Sequence, residues 1–199
     1  MQTLLIATRN SHKTREIREI LGPGWDVRDV TTLAHAPEVE ETGQTFQDNA
    51  VLKATAISEV IITPEMVLAD DSGLEVDALN GEPGVRSARY AGPSATDADN
   101  RSLLRQKLSG LPAARFSARF RCVMALAREG NVLATVDGAV EGEVIREERG
   151  HGGFGYDPMF IPSGYQQTFA ELAPAIKNSL SHRARALRKV LELLRRQPT

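Results

Sequence analysis

From Phe116 to Leu126 the chain alternates: Phe116, Ala118, Phe120, Cys122, Met124 and Leu126 are apolar, and Ser117, Arg119 and Arg121 separate the first four. A period of two over this length fits a strand with a buried face and fits no helical face, so the chain must build a sheet around it. Gly130-Asn131 follows as a hairpin turn, with 132–136 returning and 140–145 adding a further strand. Other segments have helical periodicity. Thr45-Phe46-Gln47-Asp48 has capping-box spacing, and Phe46, Ala50, Ala54, Ile57 and Ile61 follow on one face until Pro64 closes the helix. Thr96 and Asp99 repeat that logic ahead of Leu103, Leu104 and Leu108, with Gly110-Leu111-Pro112 as the stop. Leu4 to Ala7 reads as a short buried strand, and Ile17, Ile20 and Leu21 as a helix ended by Gly22-Pro23-Gly24. Residues 66–69 and the alternating Leu74, Val76 and Ala78 read as two extended pieces joined by an acidic turn, Asp70-Asp71-Ser72-Gly73. A short strand near 159–161 and a last helix over 181–196, with Ala184, Leu187, Leu191 and Leu194 facing inward, complete the pattern. Helices and strands interleave, which predicts an α/β protein with a mixed sheet.

With 199 residues the chain suffices for one substantial domain spanning 1–199. Its 41% hydrophobic and 25% charged residues exclude wholesale disorder. A net charge of −2 disfavours a nucleic-acid binder that relies on many phosphate contacts, so the expected partner is a small molecule. The lone cysteine, Cys122, forms no internal disulfide and sits in the apolar alternation as a buried structural thiol, which fits a cytoplasmic location. Leu4 to Ala7 is too short for a signal-peptide core or a membrane span, and Arg9 and Lys13 follow it, so no membrane role is expected.

Four patterns carry chemistry, each with a plain alternative. Thr8-Arg9-Asn10-Ser11-His12-Lys13 lies where a strand gives way to a helix, a place that collects phosphates; a polar cap with an exposed lysine is the alternative. A lysine in a helix's first turn opposes the helix dipole and calls for compensation, which a bound phosphate would supply. Glu38, Glu40 and Glu41, with Asp70 and Asp71, form an oxygen-ligand inventory suited to Mg²⁺, while Asp-Asp-Ser-Gly alone is also good turn chemistry. The loop Gly150 to Pro158 interleaves four glycines with His151, Phe154 and Tyr156, letting backbone approach a ligand while a ring offers a stacking face; an ordinary flexible loop is the alternative. Lys177, Ser179, Ser181, His182 and Arg183 gather donors at the start of the last helix. The further basic residues Arg185, Arg188, Lys189, Arg195 and Arg196 read as a solvated face opposite the leucines.

Seven segments in register, namely 7–13, 40–46, Asn49-Ala50 with Lys53-Ala54, 69–74, 83–90, 152–158 and Lys177 with 181–183, resemble the inosine/xanthosine triphosphate pyrophosphatase family, the Ham1-like house-cleaning group. The resemblance covers almost the whole chain. It implies a two-lobed α/β fold around a long mixed β-sheet flanked by helices, with the active site in the cleft between lobes, and a homodimer. It also implies Mg²⁺-dependent hydrolysis of ITP, dITP and XTP to the nucleoside monophosphate and pyrophosphate. By the same resemblance Thr8, Arg9, Asn10, Ser11, His12 and Lys13 hold the phosphates. Asp71 binds Mg²⁺ and takes the proton of the attacking water, and Glu40 or Glu41 completes the metal site. Ser72 touches substrate, Phe154, Gly155, Tyr156 and Asp157 line the base and sugar pocket, and Lys177, His182 and Arg183 read the base. Many members of the family carry glycine where this chain has Arg9, a position that would be strained if its φ were positive. The competing readings are a pyrophosphatase of other base preference and a non-catalytic nucleotide or nucleic-acid binding module using the basic last helix.

Overall fold

The computed structural model describes residues 2–61 and 65–196. In chain order it contains β1 (Gln2–Ile6), α1 (Ser11–Leu21), β2 (Trp25–Asp29), α2 (Phe46–Val60), β3 (Val67–Val76), α3 (Asp97–Ser109), β4 (Arg115–Arg128), β5 (Asn131–Ile145), β6 (Phe160–Pro162), α4 (Pro174–Leu180) and α5 (His182–Arg196). The strands form one sheet in the order β2-β1-β3-β4-β5-β6. β1 runs parallel to β2, with Leu4 opposite Val27, and parallel to β3, with Leu5 opposite Val67. β6 pairs antiparallel to β5, with Phe160 opposite Val144. The sheet is mixed, as the alternation of elements requires. Among the described residues no helix is long and apolar enough to cross a membrane.

The chain divides into two compact units. The first takes the residues up to Asp71, Cys122–Gly138 and the chain from Arg183 on; the second takes Ser72–Arg121 and Ala139–His182. In the first, Leu4 and Ile6 of β1 pack with Ile17 of α1, Leu68, Met124, and Ala186, Leu187 and Val190 of α5. In the second, Leu74, Leu104, Leu108, Phe116, Phe120, Phe160 and Phe169 form the core. Three of its rings, Phe120, Phe160 and Phe169, meet at centroid separations of 4.7, 5.9 and 5.1 Å, within the range of favourable aromatic pairs.

Local sequence explains where the helices begin. Thr45 and Asp48 exchange side-chain-to-backbone hydrogen bonds ahead of α2, and Thr96 and Asp99 do so ahead of α3. Each box satisfies two otherwise orphaned N–H groups and contributes about 1 kcal/mol. Ile61 lies just past the end of α2 as its C-cap, and Pro64 lies outside the described residues. In α5, Ala184 and Leu187 are buried as expected, joined by Val190, while Leu191 and Leu194 are only half-buried. Arg185, Arg188, Lys189 and Arg195 form the exposed face.

Three expectations change. Asp70-Asp71-Ser72-Gly73 is no turn: it lies inside the ten-residue strand β3, whose carboxylates are neutralised by distant cations rather than by solvent. The hairpin between β4 and β5 turns one residue earlier than expected, at Glu129-Gly130, with φ of 50° and 75°. A two-residue hairpin turn of this hand needs positive φ at both central residues, and only the second is glycine here. β5 then runs unbroken through Gly138, where two shorter strands were expected. The structure also adds β2 and α4, which the periodicity did not mark.

Candidate functional site

β3 delivers Asp70 and Asp71 in succession, and strand alternation sends their side chains to opposite faces. Asp70 is 1% exposed. Lys13 Nζ stands 2.8 Å from its Oδ1, and Arg183 donates from both Nε and Nη2 to its Oδ2 at 3.1 Å. Arg183 reaches Glu16 as well, through Nη1. Burial works against the charge of Asp70, but Lys13, Arg183 and Lys53 outweigh it and hold this carboxyl well below the usual carboxylate range. The Cys122 Sγ lies 3.7 Å from Oδ2, and burial, then Asp70, push its thiol far up, so it is the inert buried thiol expected.

Asp71 lies among other partners. Its Oδ1 accepts from Lys53 Nζ at 3.1 Å and its Oδ2 from Asn49 Nδ2 at 3.2 Å. Lys53 Nζ also donates to Glu41 Oε1 and to the Asp70 carbonyl, both at 2.8 Å. Asn49 and Lys53 are one helical turn apart on α2, so a single helix face gathers the two carboxylates. Burial raises the Asp71 pKa, Lys53 and Lys13 oppose, and Glu41 adds to the rise. Lys53 is itself held protonated against burial by Asp71, Glu41 and Asp70.

Asp71 and Glu41 thus converge on one ammonium, which marks the place as one that accepts a cation. Among the described residues no group of three or more His, Cys, Asp or Glu side chains is placed to hold a metal. Two carboxylates without a full protein cage are the donor set Mg²⁺ uses, the remaining positions going to water and phosphate oxygens. Glu40 is exposed, and its carbonyl accepts from Thr42 N at 3.1 Å, so Glu41 is the member of the pair that stands with Asp71.

The segment 8–13 is organised differently from a bare helix terminus. Asn10 caps α1, its Oδ1 accepting from His12 N at 2.9 Å and Lys13 N at 3.2 Å, while Thr8 Oγ1 accepts from Asn10 N at 3.1 Å. Those two first-turn amides are therefore occupied within the protein. The expected compensation of Lys13 comes from Asp70. Arg9, Asn10, Ser11 and His12 are exposed. Arg9 Nη2 donates to Ala36 O at 3.0 Å, and Arg9 is not among the positive-φ residues, so its side chain is carried without strain.

In the second unit, Lys177 and Asp157 form a buried pair at 2.5 Å, with side chains 6% and 4% exposed. Asp157 Oδ2 also accepts from Phe154 N at 2.9 Å. A Cβ on Gly153 would stand 2.0 Å from that same oxygen, and Gly153 has φ of +72°, so glycine is required there twice over. The Lys177 ammonium lies 5.0 Å from the centroid of Phe154 and 5.7 Å from that of Phe169. Gly155 is fixed from α3, its N–H donating to Asp97 Oδ2 at 2.7 Å and its carbonyl accepting from Arg101 Nη1 at 2.8 Å. Tyr156 turns inward, 4% exposed, its hydroxyl donating to Ser87 O at 2.9 Å. Of the two rings offered for stacking, the structure leaves Phe154 half-buried and places Tyr156 in the core. His182, at the start of α5, stacks on Phe120 at 4.9 Å with 13° between the planes. Lys177 belongs to α4, not to the last helix.

Residues 4–193 match the model of the Ham1 family. The chain belongs to the Ham1 family. Its similarity to individual members is of the same extent. A dITP/XTP pyrophosphatase of Desulforamulus reducens is 50% identical over 97% of this chain and 96% of that protein. One of Bacillus licheniformis is 49% identical over 98% of each. A HAM1 protein from Coxiella burnetii superposes with a TM-score of 0.86 at 41% identity, covering 99% of this chain and 100% of that one. Within this Ham1 chain, sequence reasoning left Asn49, Lys53 and Glu16 without a role. Helical spacing offered a signal for the first two, since Asn49 and Lys53 flank Ala50 and Ala54 on the buried face of α2.

Proposed function

We propose that this Ham1-family chain hydrolyses the α–β phosphoanhydride of non-standard purine nucleoside triphosphates, ITP, dITP and XTP, to the nucleoside monophosphate and pyrophosphate. It does so with Mg²⁺, in the cytoplasm and as a homodimer. The observation that carries the reading is the convergence of Asp71 and Glu41 on Lys53, in a chain about half identical to proteins named dITP/XTP pyrophosphatases.

Asp71 and Glu41 would hold the Mg²⁺ ion, which would supply charge neutralisation at the phosphate oxygens. Asp71 accepts the proton of the attacking water. Its pKa, raised by burial and further by Glu41 against the pull of Lys53 and Lys13, makes it a better base than an ordinary aspartate. Half-buried Thr8 and the exposed side chains of Arg9 to His12 precede Lys13 for phosphate contact, with Lys13 and Lys53 as the cationic groups beside them. Ser72 follows Asp71 on β3 and touches the substrate. Phe154 provides the stacking face for the base, and Tyr156 and Asp157 build the pocket from behind.

Lys177 and His182 read the base. Hypoxanthine and xanthine carry a 6-keto acceptor where adenine carries an amino donor, so a donor at this position meets a donor in ATP. An unmatched polar contact of that kind discriminates far more strongly than shape does. Arg183, grouped with these readers by resemblance, has its guanidinium on Asp70 and Glu16 and is fully buried; its role here is to fix Asp70.

The test is a substrate panel that measures pyrophosphate release. ITP, dITP and XTP turn over with kcat/KM at least about a hundredfold above ATP, the size of roughly one lost polar contact, and above GTP, which shares the 6-keto group and is rejected by crowding or a missing acceptor at its 2-amino group. Equal rates across the panel, or orthophosphate as the first product, refute the reading.

A further inference from the structure

Asn49 is a polar side chain with 0% exposure, and nothing in the chemistry above uses it. The two ends of its amide have different partners. Oδ1 accepts from the backbone N–H of Gly43 at 2.8 Å, and Nδ2 donates to Asp71 Oδ2 at 3.2 Å. A backbone N–H only donates, so Gly43 dictates which end of the amide is oxygen and turns the NH₂ group toward Asp71. Gly43 is in the segment that carries Glu41, two residues earlier. One turn along α2, Lys53 bridges Glu41 and Asp71. The Glu41 segment and β3 are therefore tied to α2 at two successive points, one through Asn49 and one through Lys53.

Gly43 admits no side chain. A Cβ there would lie 2.6 Å from Asn49 Oδ1, 2.6 Å from Asp48 Cβ and 3.0 Å from Asn49 N. Its φ is not in the left-handed region, so close approach to Asn49, not backbone conformation, is what excludes alanine.

We propose that Asn49, oriented by the Gly43 N–H, is a positioning residue that holds the carboxylates of Asp71 and Glu41 in register for a divalent cation. The inference rests on the reading that these two carboxylates bind the metal. Groups that orient metal ligands typically change metal affinity by about 10–100-fold when removed.

The experiment compares the wild type with Asn49→Ala, Gly43→Ala, Asp71→Asn and the control Gly24→Ala, whose added Cβ meets nothing within 4 Å. Mn²⁺ affinity of the nucleotide-free protein is titrated by calorimetry, alongside Tm and the kcat and KM for dITP. In both Asn49→Ala and Gly43→Ala the Mn²⁺ Kd rises about tenfold or more. Their kcat falls while the KM for dITP stays within about twofold, and raised metal concentration recovers part of the kcat. Gly24→Ala changes none of these. Should Asn49→Ala fail to fold, Gly43→Ala decides alone, because it disturbs the amide and removes no polar group. Wild-type Mn²⁺ affinity in a folded Gly43→Ala, with affinity lost in Asp71→Asn, overturns the positioning role and leaves the metal reading standing. Unchanged affinity in Asp71→Asn as well overturns the metal reading itself.

Discussion

Arg183 directs two of its N–H groups, on Nε and Nη2, at one oxygen of Asp70, each at 3.1 Å, while Lys13 meets the other oxygen at 2.8 Å. A carboxylate so placed is more acidic in the folded chain than in the unfolded one, where its pKa is near 3.8. Its contribution to stability is therefore complete above that value and is lost as pH falls below it toward the depressed folded pKa. Urea unfolding followed below about pH 4 should show stability falling steeply in the wild type, and falling less in Asp70→Asn. At neutral pH the same substitution leaves two cations facing a neutral amide and costs about 3–5 kcal/mol. Parallel pH profiles for the two proteins would mean that Asp70 is not the group responsible.

Asp71→Asn keeps the shape of the side chain and removes its capacity to take a proton. Turnover of dITP should fall by about a hundredfold or more. Binding of a non-hydrolysable dITP analogue should remain measurable by calorimetry, since Lys13 and Lys53 persist. Retained turnover would move the base to another residue.

Lys177 and Asp157 answer differently to loss of either partner. Lys177→Met removes the proposed donor to the 6-keto group, and the preference for dITP over dATP should shrink by about tenfold or more, because discrimination rests on polar pairing. Asp157 retains Phe154 N as a partner, so this variant should fold. Asp157→Ala instead removes the carboxylate that Lys177 and Phe154 N share and loosens the glycine loop, at about 3–5 kcal/mol in chemical denaturation. Undiminished selectivity in Lys177→Met would exclude this lysine as the reader.

The thiol of Cys122 has 0% exposure and a pKa pushed far up. Ellman's reagent should find no reactive thiol in the native protein and one equivalent per chain in guanidinium chloride. Rapid labelling of native protein would contradict the packing around Asp70.

Features written in neighbouring residues were legible. Thr45 with Asp48 and Thr96 with Asp99 mark helix starts because both partners of each box lie three residues apart. The long alternation into Leu126 fixed the central strand for the same reason. The placement of Asp70-Asp71 was not legible: a strand interior tolerates this pair only because Lys13, 57 residues away, and Arg183, 113 residues away, fold back onto it. On local sequence alone the same four residues read as a turn. Nor does sequence tell which ring of Phe154 and Tyr156 faces inward, since Ser87 O, which takes the Tyr156 hydroxyl, is 69 residues distant. The Glu129-Gly130 turn was placed one residue late because glutamate rarely adopts positive φ, and here strand pairing on either side imposes it.

The core of the first unit contains Leu4, Ile6 and Ile17 from one end of the chain and Ala186, Leu187 and Val190 from the other. During synthesis, then, β1 and α1 leave the ribosome long before the helix that covers them exists. Until α5 emerges, the apolar run around Leu4 to Ile6 is an exposed, β-prone segment of a nascent chain, the kind of surface that chaperones occupy. A message cut short ahead of α5 therefore leaves part of the apolar core at its own beginning uncovered.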